Sequence, residues 1–88
     1  MGRAKRATPK HLGQKLHAIR ESLHSTLEGM IEKLNCPDIP LYPASISMYE
    51  SGKREPPLLV LLSYAKLAKT TIDALADDKI KLSKLKHN

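Results

Sequence analysis

Apolar residues recur at helical intervals along most of this chain. Leu12, Leu16, Ile19 and Leu23 follow at steps of four, three and four, the spacing of one helix face, and predict a helix over about 8–24. Thr8-Pro9 supplies its start, an N-cap followed by proline at the first helical position, where a missing N–H is no loss. Ser25-Thr26-Leu27-Glu28 has the form of a capping box, and Leu27, Met30, Ile31 and Leu34 mark the inner face of a second helix ending near Asn35. Gly29 within it costs about 1 kcal/mol relative to alanine. Residues 36–43 hold Pro37, Pro40 and Pro43, a density that neither a helix nor a central strand survives. This stretch reads as a structured loop with Ile39 and Leu41 turned inward.

Pro43 then serves as the first residue of a short third helix over 43–50, which Ser51-Gly52 ends through glycine's tolerance of the left-handed region. Pro56-Pro57 opens a fourth helix reaching about Lys69, with Leu58, Leu61, Leu62, Ala65 and Ala68 facing inward and Tyr64 partly so. Thr71 caps a short fifth helix containing Ile72, Leu75 and Ala76. The alternation from Lys79 to Lys86 fits a strand or a frayed tail equally well. The expected fold is all-α and compact, with five helices. Its expected organisation is a flexible basic arm at 1–7, a helical domain at 8–78 and a basic tail at 79–88.

Composition agrees with that class. Eighty-eight residues allow one core only, and the apolar inventory is aliphatic, with no Phe or Trp and three Tyr. The formal charge is +6, concentrated at the two ends: Arg3, Lys5, Arg6 and Lys10 at the start, Lys79, Lys81, Lys84 and Lys86 at the finish. Such a surplus favours polyanions. Cys36 is the single cysteine and excludes an internal disulfide. No apolar run approaches the length needed to span a bilayer or to act as a secretion signal, so the expected setting is cytoplasmic and nucleoid-associated.

The stretch Ile46-Ser47-Met48-Tyr49-Glu50-Ser51-Gly52-Lys53-Arg54-Glu55-Pro56 is the most specific in the chain. With Leu12-Gly13 and Arg20 upstream, and Tyr64-Ala65-Lys66 and Thr71-Ile72-Asp73-Ala74-Leu75 downstream, it resembles the lambda-repressor-like (Xre-type) helix-turn-helix family over residues 12–76. The resemblance implies a five-helix domain in which Glu50 pairs with Arg20. It also implies a sequence-specific DNA-binding transcriptional regulator, most simply a repressor, that reads the major groove with helix 43–50. Three features depart from the family: a turn between helices 2 and 3 lengthened by the proline-rich insertion, Leu27 where a glutamine is frequent, and Ile31 where a small residue is usual.

In that reading Pro43, Ala44, Ser45, Ser47 and Met48 meet base edges. Tyr42, Lys53 and Arg54 meet phosphates, joined by Arg3, Lys5 and Arg6 of the arm. The base-facing set holds no Arg, Asn, Gln or Lys, so direct readout is expected to be weak and DNA shape to carry more of the specificity. The partner is double-stranded DNA, with a homodimer as a further option and an apolar stripe of Leu75, Ile80, Leu82 and Leu85 as its candidate surface. Two other readings compete: a protein-interaction module that uses the 36–43 loop, and a nonspecific nucleic-acid binder driven by the basic ends.

No enzyme, cofactor, metal, membrane or small-molecule partner is expected. Ser47 and Glu50 have no histidine base near them in sequence. His11, His17 and His24 lack the further converging donor that a zinc site needs.

Overall fold

The computed structural model describes residues 9–82, and the arm residues Arg3, Lys5 and Arg6, with Thr8 and residues 83–88, lie outside the described residues. Five helices and no strand make up the described chain: α1 (Leu12–Ser22), α2 (Leu27–Leu34), α3 (Pro43–Ser51), α4 (Leu58–Leu67) and α5 (Ile72–Ala76). None of them is long and apolar enough to cross a membrane.

The core draws on every helix. Leu12, Leu16 and Ile19 of α1 meet Met30 and Leu34 of α2, Ile46 and Tyr49 of α3, Val60, Leu61, Tyr64 and Ala65 of α4, and Leu75 of α5. The expected loop residues Ile39 and Leu41 pack against this cluster, as do Leu27 and Ile31. α1 and α3 approach most closely at Gly13. A side chain there would begin 2.6 Å from the Glu50 carbonyl oxygen, well inside contact distance, so only glycine lets the two backbones meet.

Several helix ends follow the local chemistry. Thr71 Oγ1 accepts from Ala74 N at 3.1 Å, and Gly52 closes α3 in the left-handed region at φ 81°. Two starts differ from expectation. α1 begins at Leu12, not near Thr8, because Asp78 supplies the acceptor from the far end of the chain. Its carboxylate takes Lys10 N at 2.8 Å and His11 N at 3.0 Å. These bonds hold the Asp78 carboxyl below its ordinary pKa. The cap of α2 falls on Thr26, whose Oγ1 accepts from Gly29 N at 2.9 Å. Glycine therefore occupies the third helical position, with no side chain to complete a box. A Cβ on Gly29 would stand 2.7 Å from Ser25 Oγ, so that hydroxyl would have to turn aside.

α4 also rotates relative to the expected phase. Pro57 takes the N-cap position and Val60 enters the core in place of Leu58, which is 67% exposed. Tyr64, expected to be partly inward, is wholly buried.

Beyond α5 the chain neither extends nor frays within the described residues. Ile80 N donates to Asp77 O at 3.0 Å in a turn, and Leu82 packs on the core. Lys15 holds this turn. Although it is a lysine it is buried, and its Nζ donates to the carbonyls of Ala74 at 2.7 Å, Asp77 at 3.0 Å and Ile80 at 2.7 Å. The three bonds satisfy all the donors of the ammonium, and the one to Ala74 fills an orphaned carbonyl at the α5 C-terminus. Asp78 caps the start of α1 while Lys15 caps the end of α5.

Candidate nucleic-acid interface

α3 presents two faces with different chemistry. Its inner face, Ile46 and Tyr49, lies in the core, while Ala44 and Ser47 point to solvent with Met48 half-buried beside them. Pro43 is half-buried at the first position, and Tyr42 before it is among the most exposed large side chains of the described chain. Ser45 corrects the expectation made for it. It is buried, and its Oγ accepts from Tyr42 N at 3.2 Å, closing the helix start. A hydroxyl committed in that way serves the helix and does not face a base. Ala44, Ser47 and Met48 remain on the outer side, flanked by Tyr42 and Pro43.

The helix is fixed from behind by its last full turn. Glu50 accepts from Arg20 Nε at 2.7 Å and Nη2 at 3.0 Å, a two-pronged pairing between α1 and α3. Arg20 Nη1 donates to Ser25 O at 3.0 Å, so the same guanidinium also holds the turn before α2. The Glu50 side chain is 9% exposed and that of Arg20 19%. Burial alone would raise the Glu50 pKa, but the hydrogen bonds from Arg20 and His17 outweigh it and hold the carboxyl below its ordinary value.

His17 is the member of this cluster not anticipated from the sequence. Its Nδ1 stands 2.8 Å from Glu50 Oε1 and its Nε2 3.1 Å from Glu21 Oε2. A neutral imidazole has one N–H and can satisfy only one of these acceptors, whereas the imidazolium satisfies both. The bond to Glu50 accordingly raises the His17 pKa, over the opposing effect of burial, with Glu21 adding to the rise. Arg20 Nη2, 3.4 Å from Nδ1, acts in the opposite sense and more weakly. The available signal was its spacing, since His17, Arg20 and Glu21 share one face of α1 at i, i+3 and i+4. Beneath the cluster lies Tyr64, whose hydroxyl is buried with no hydrogen-bond partner among the described residues. Burial pushes its pKa upward, and the nearby Glu50 charge adds to this.

Past Gly52 the chain turns sharply, with Lys53 N and Arg54 N both donating to Met48 O at 3.0 and 3.3 Å. This fold-back leaves the Lys53 and Arg54 side chains exposed at the C-terminal end of α3. They line a cleft of about 260 Å³ with Pro9, Leu12, Gly13 and Tyr49, and Glu55 adds one acid to its rim. Pro9, the first of the described residues, thus shares this cleft with the Lys53-Arg54 turn. Among the described residues no group of three or more His, Cys, Asp or Glu is arranged to hold a metal ion. No protein-family model matches the chain, and no curated protein is significantly similar to it.

Proposed function

We propose that the chain is a helix-turn-helix DNA-binding protein that lays α3 in the major groove and acts as a transcriptional regulator, most simply a repressor. The reading rests on one observation: the outer edge of α3, anchored from behind by Arg20 and Glu50, stands beside the exposed pair Lys53 and Arg54. A short helix with small outward side chains can approach base edges closely, and adjacent cations can neutralise the flanking phosphates. Arg3, Lys5 and Arg6, which lie outside the described residues, would add positive charge toward the phosphates.

Ala44 offers a methyl surface suited to a thymine methyl, and Ser47 a hydroxyl able to bond either to a base or to a phosphate. With Ser45 withdrawn, direct readout rests on fewer side chains, and sequence preference shifts toward DNA shape.

Selection from a random oligonucleotide pool followed by a salt titration tests the proposal. A regulator prefers its selected site over random DNA by about a thousandfold or more. Lys53→Ala weakens binding on all sequences alike and lowers the log–log salt slope by about one. No binding to duplex DNA at low salt would overturn it.

A further inference from the structure

The outward edge of α3 is poor in hydrogen-bonding side chains and rich in apolar ones. Ala44, Ser47 and Met48 follow at i, i+3 and i+4 and form one ridge along the helix, with Ala44 and Ser47 exposed and Met48 half-buried. Tyr42 and Pro43 extend the ridge at its leading end, and the proline-rich loop puts the tyrosine there. Leu41 packs on the core, and Tyr42 follows it with extended backbone, φ −127° and ψ 162°. Successive side chains of an extended chain point to opposite sides, so the Tyr42 ring faces out and is 63% exposed.

Two of the three serines on α3 are spent on the helix itself. Ser45 Oγ accepts from Tyr42 N at 3.2 Å, and Ser51 Oγ donates to Met48 O at 3.2 Å. That leaves Ser47 and the Tyr42 phenol as the polar side-chain groups of the ridge. No Arg, Lys, Asn, Gln, Asp or Glu stands between Tyr42 and Tyr49, and the cations Lys53 and Arg54 come only after Gly52.

Bases in the major groove differ in two kinds of feature. Donors and acceptors are read in pairs by forked side chains, guanine by Arg or Lys and adenine by Asn or Gln. The C5-methyl of thymine is apolar and is read by contact. An edge made of Tyr42, Pro43, Ala44 and Met48 lacks the groups for the first and consists of groups for the second. Cytosine methylated at C5 presents the same methyl at the same place.

We propose that this ridge recognises the C5-methyl groups of pyrimidines in the major groove, thymine in ordinary DNA and 5-methylcytosine in methylated DNA. The inference rests on the DNA-binding reading and names the base feature that reading leaves open. Ala44 and Met48 supply the contacts, and the rings of Tyr42 and Pro43 shut water from one end of them.

Binding of the full chain to one pool-selected duplex, with its bases exchanged singly, tests it. Deoxyuridine in place of thymine removes the methyl and keeps every donor and acceptor. At a contacted position each exchange weakens binding roughly three- to fourfold, the worth of one buried methyl, and exchanges in the flanks have no effect. Where cytosine occupies a contacted position, its C5-methylation strengthens binding by a similar factor. Ala44→Gly abolishes the difference between thymine and deoxyuridine at one position and Met48→Gln at another, with circular dichroism checking that each variant keeps its helices. Tyr42→Phe retains the difference at both. Tight binding that is indifferent to deoxyuridine and to 5-methylcytosine would overturn this inference and leave the DNA reading standing. So would a deoxyuridine effect of undiminished size in both Ala44→Gly and Met48→Gln, which would assign it to duplex shape. Failure to bind any duplex at low salt would overturn the two together.

Discussion

Replacing Glu50 by alanine removes the carboxylate that joins α1 to α3. The side chain accepts three short contacts, from Arg20 Nε at 2.7 Å, Arg20 Nη2 at 3.0 Å and His17 Nδ1 at 2.8 Å. Its loss leaves Arg20 with the Ser25 carbonyl and a long 3.4 Å contact to His17 Nδ1, over a buried Tyr64. Breaking a fully buried ion pair costs about 3–5 kcal/mol, because the surviving charge is stranded. Here Arg20 keeps 19% of its side chain in water and His17 keeps 45%, so part of that cost is relieved by hydration. The expected destabilisation is therefore about 2–4 kcal/mol, which for a domain of this size lowers Tm by roughly 10–25 °C. Urea unfolding followed by circular dichroism measures it. Arg20→Ala should cost a similar amount, and the double variant should cost far less than the sum, since the second removal strands nothing. Two single variants within about 0.5 kcal/mol of wild type, or strict additivity between them, would refute the pairing as a determinant of the fold.

His17 gives the same cluster a pH dependence. Its folded pKa lies above the ordinary 6.5, so its stabilisation is complete below 6.5 and fades as pH rises through the raised value; His17→Gln flattens stability over that window, and an NMR titration of the His17 ring reports the pKa directly. Glu50 behaves oppositely, contributing above its ordinary 4.5 and losing that contribution as pH falls through its depressed value. Lys15→Met keeps the apolar stem but removes three charge-assisted bonds to the carbonyls of Ala74, Asp77 and Ile80. A loss of about 2–4 kcal/mol in urea unfolding is expected, and an unchanged midpoint would show those carbonyls to be well served by water. Gly13→Ala adds intrinsic helix preference of about 1 kcal/mol yet should destabilise by about 1–3 kcal/mol, because its methyl meets the Glu50 backbone. A gain in thermal stability for that variant would mean α1 and α3 can separate freely.

The elements most legible in the sequence were those set by local chemistry. The stripe of Leu12, Leu16 and Ile19, proline at position 43 and glycine at position 52 each specify structure through neighbours in the chain, and each appears where expected. The Arg20–Glu50 contact came from resemblance, since thirty intervening residues offer no spacing argument for it. What stayed hidden was nonlocal. Asp78 moves the start of α1 to Leu12 from a distance of 67 and 68 residues, and no reading of Thr8-Pro9 reveals that competition. Lys15 looks like an ordinary solvated cation in sequence until α5 is placed against it. Leu58 was placed inward because consecutive leucines leave the phase of a helix ambiguous, and Val60 took that role once Pro57 fixed the start. On α3, Ser45 and Ser47 look alike in sequence, and only the backbone direction at Tyr42 separates the capping hydroxyl from the outward one.

The reciprocal tie between Lys15 and Asp78 makes the described polypeptide nearly annular, its opening segment soldered to its closing one. Amides at Lys10 and His11 should therefore exchange with deuterium in step with those of α5, because releasing either end undoes the other. Deleting residues beyond Ala76 would unravel the beginning of α1 as surely as the end of the chain. Within residues 9–82 neither end should peel back independently of the other, and cleavage of that stretch should begin along the 36–42 connection.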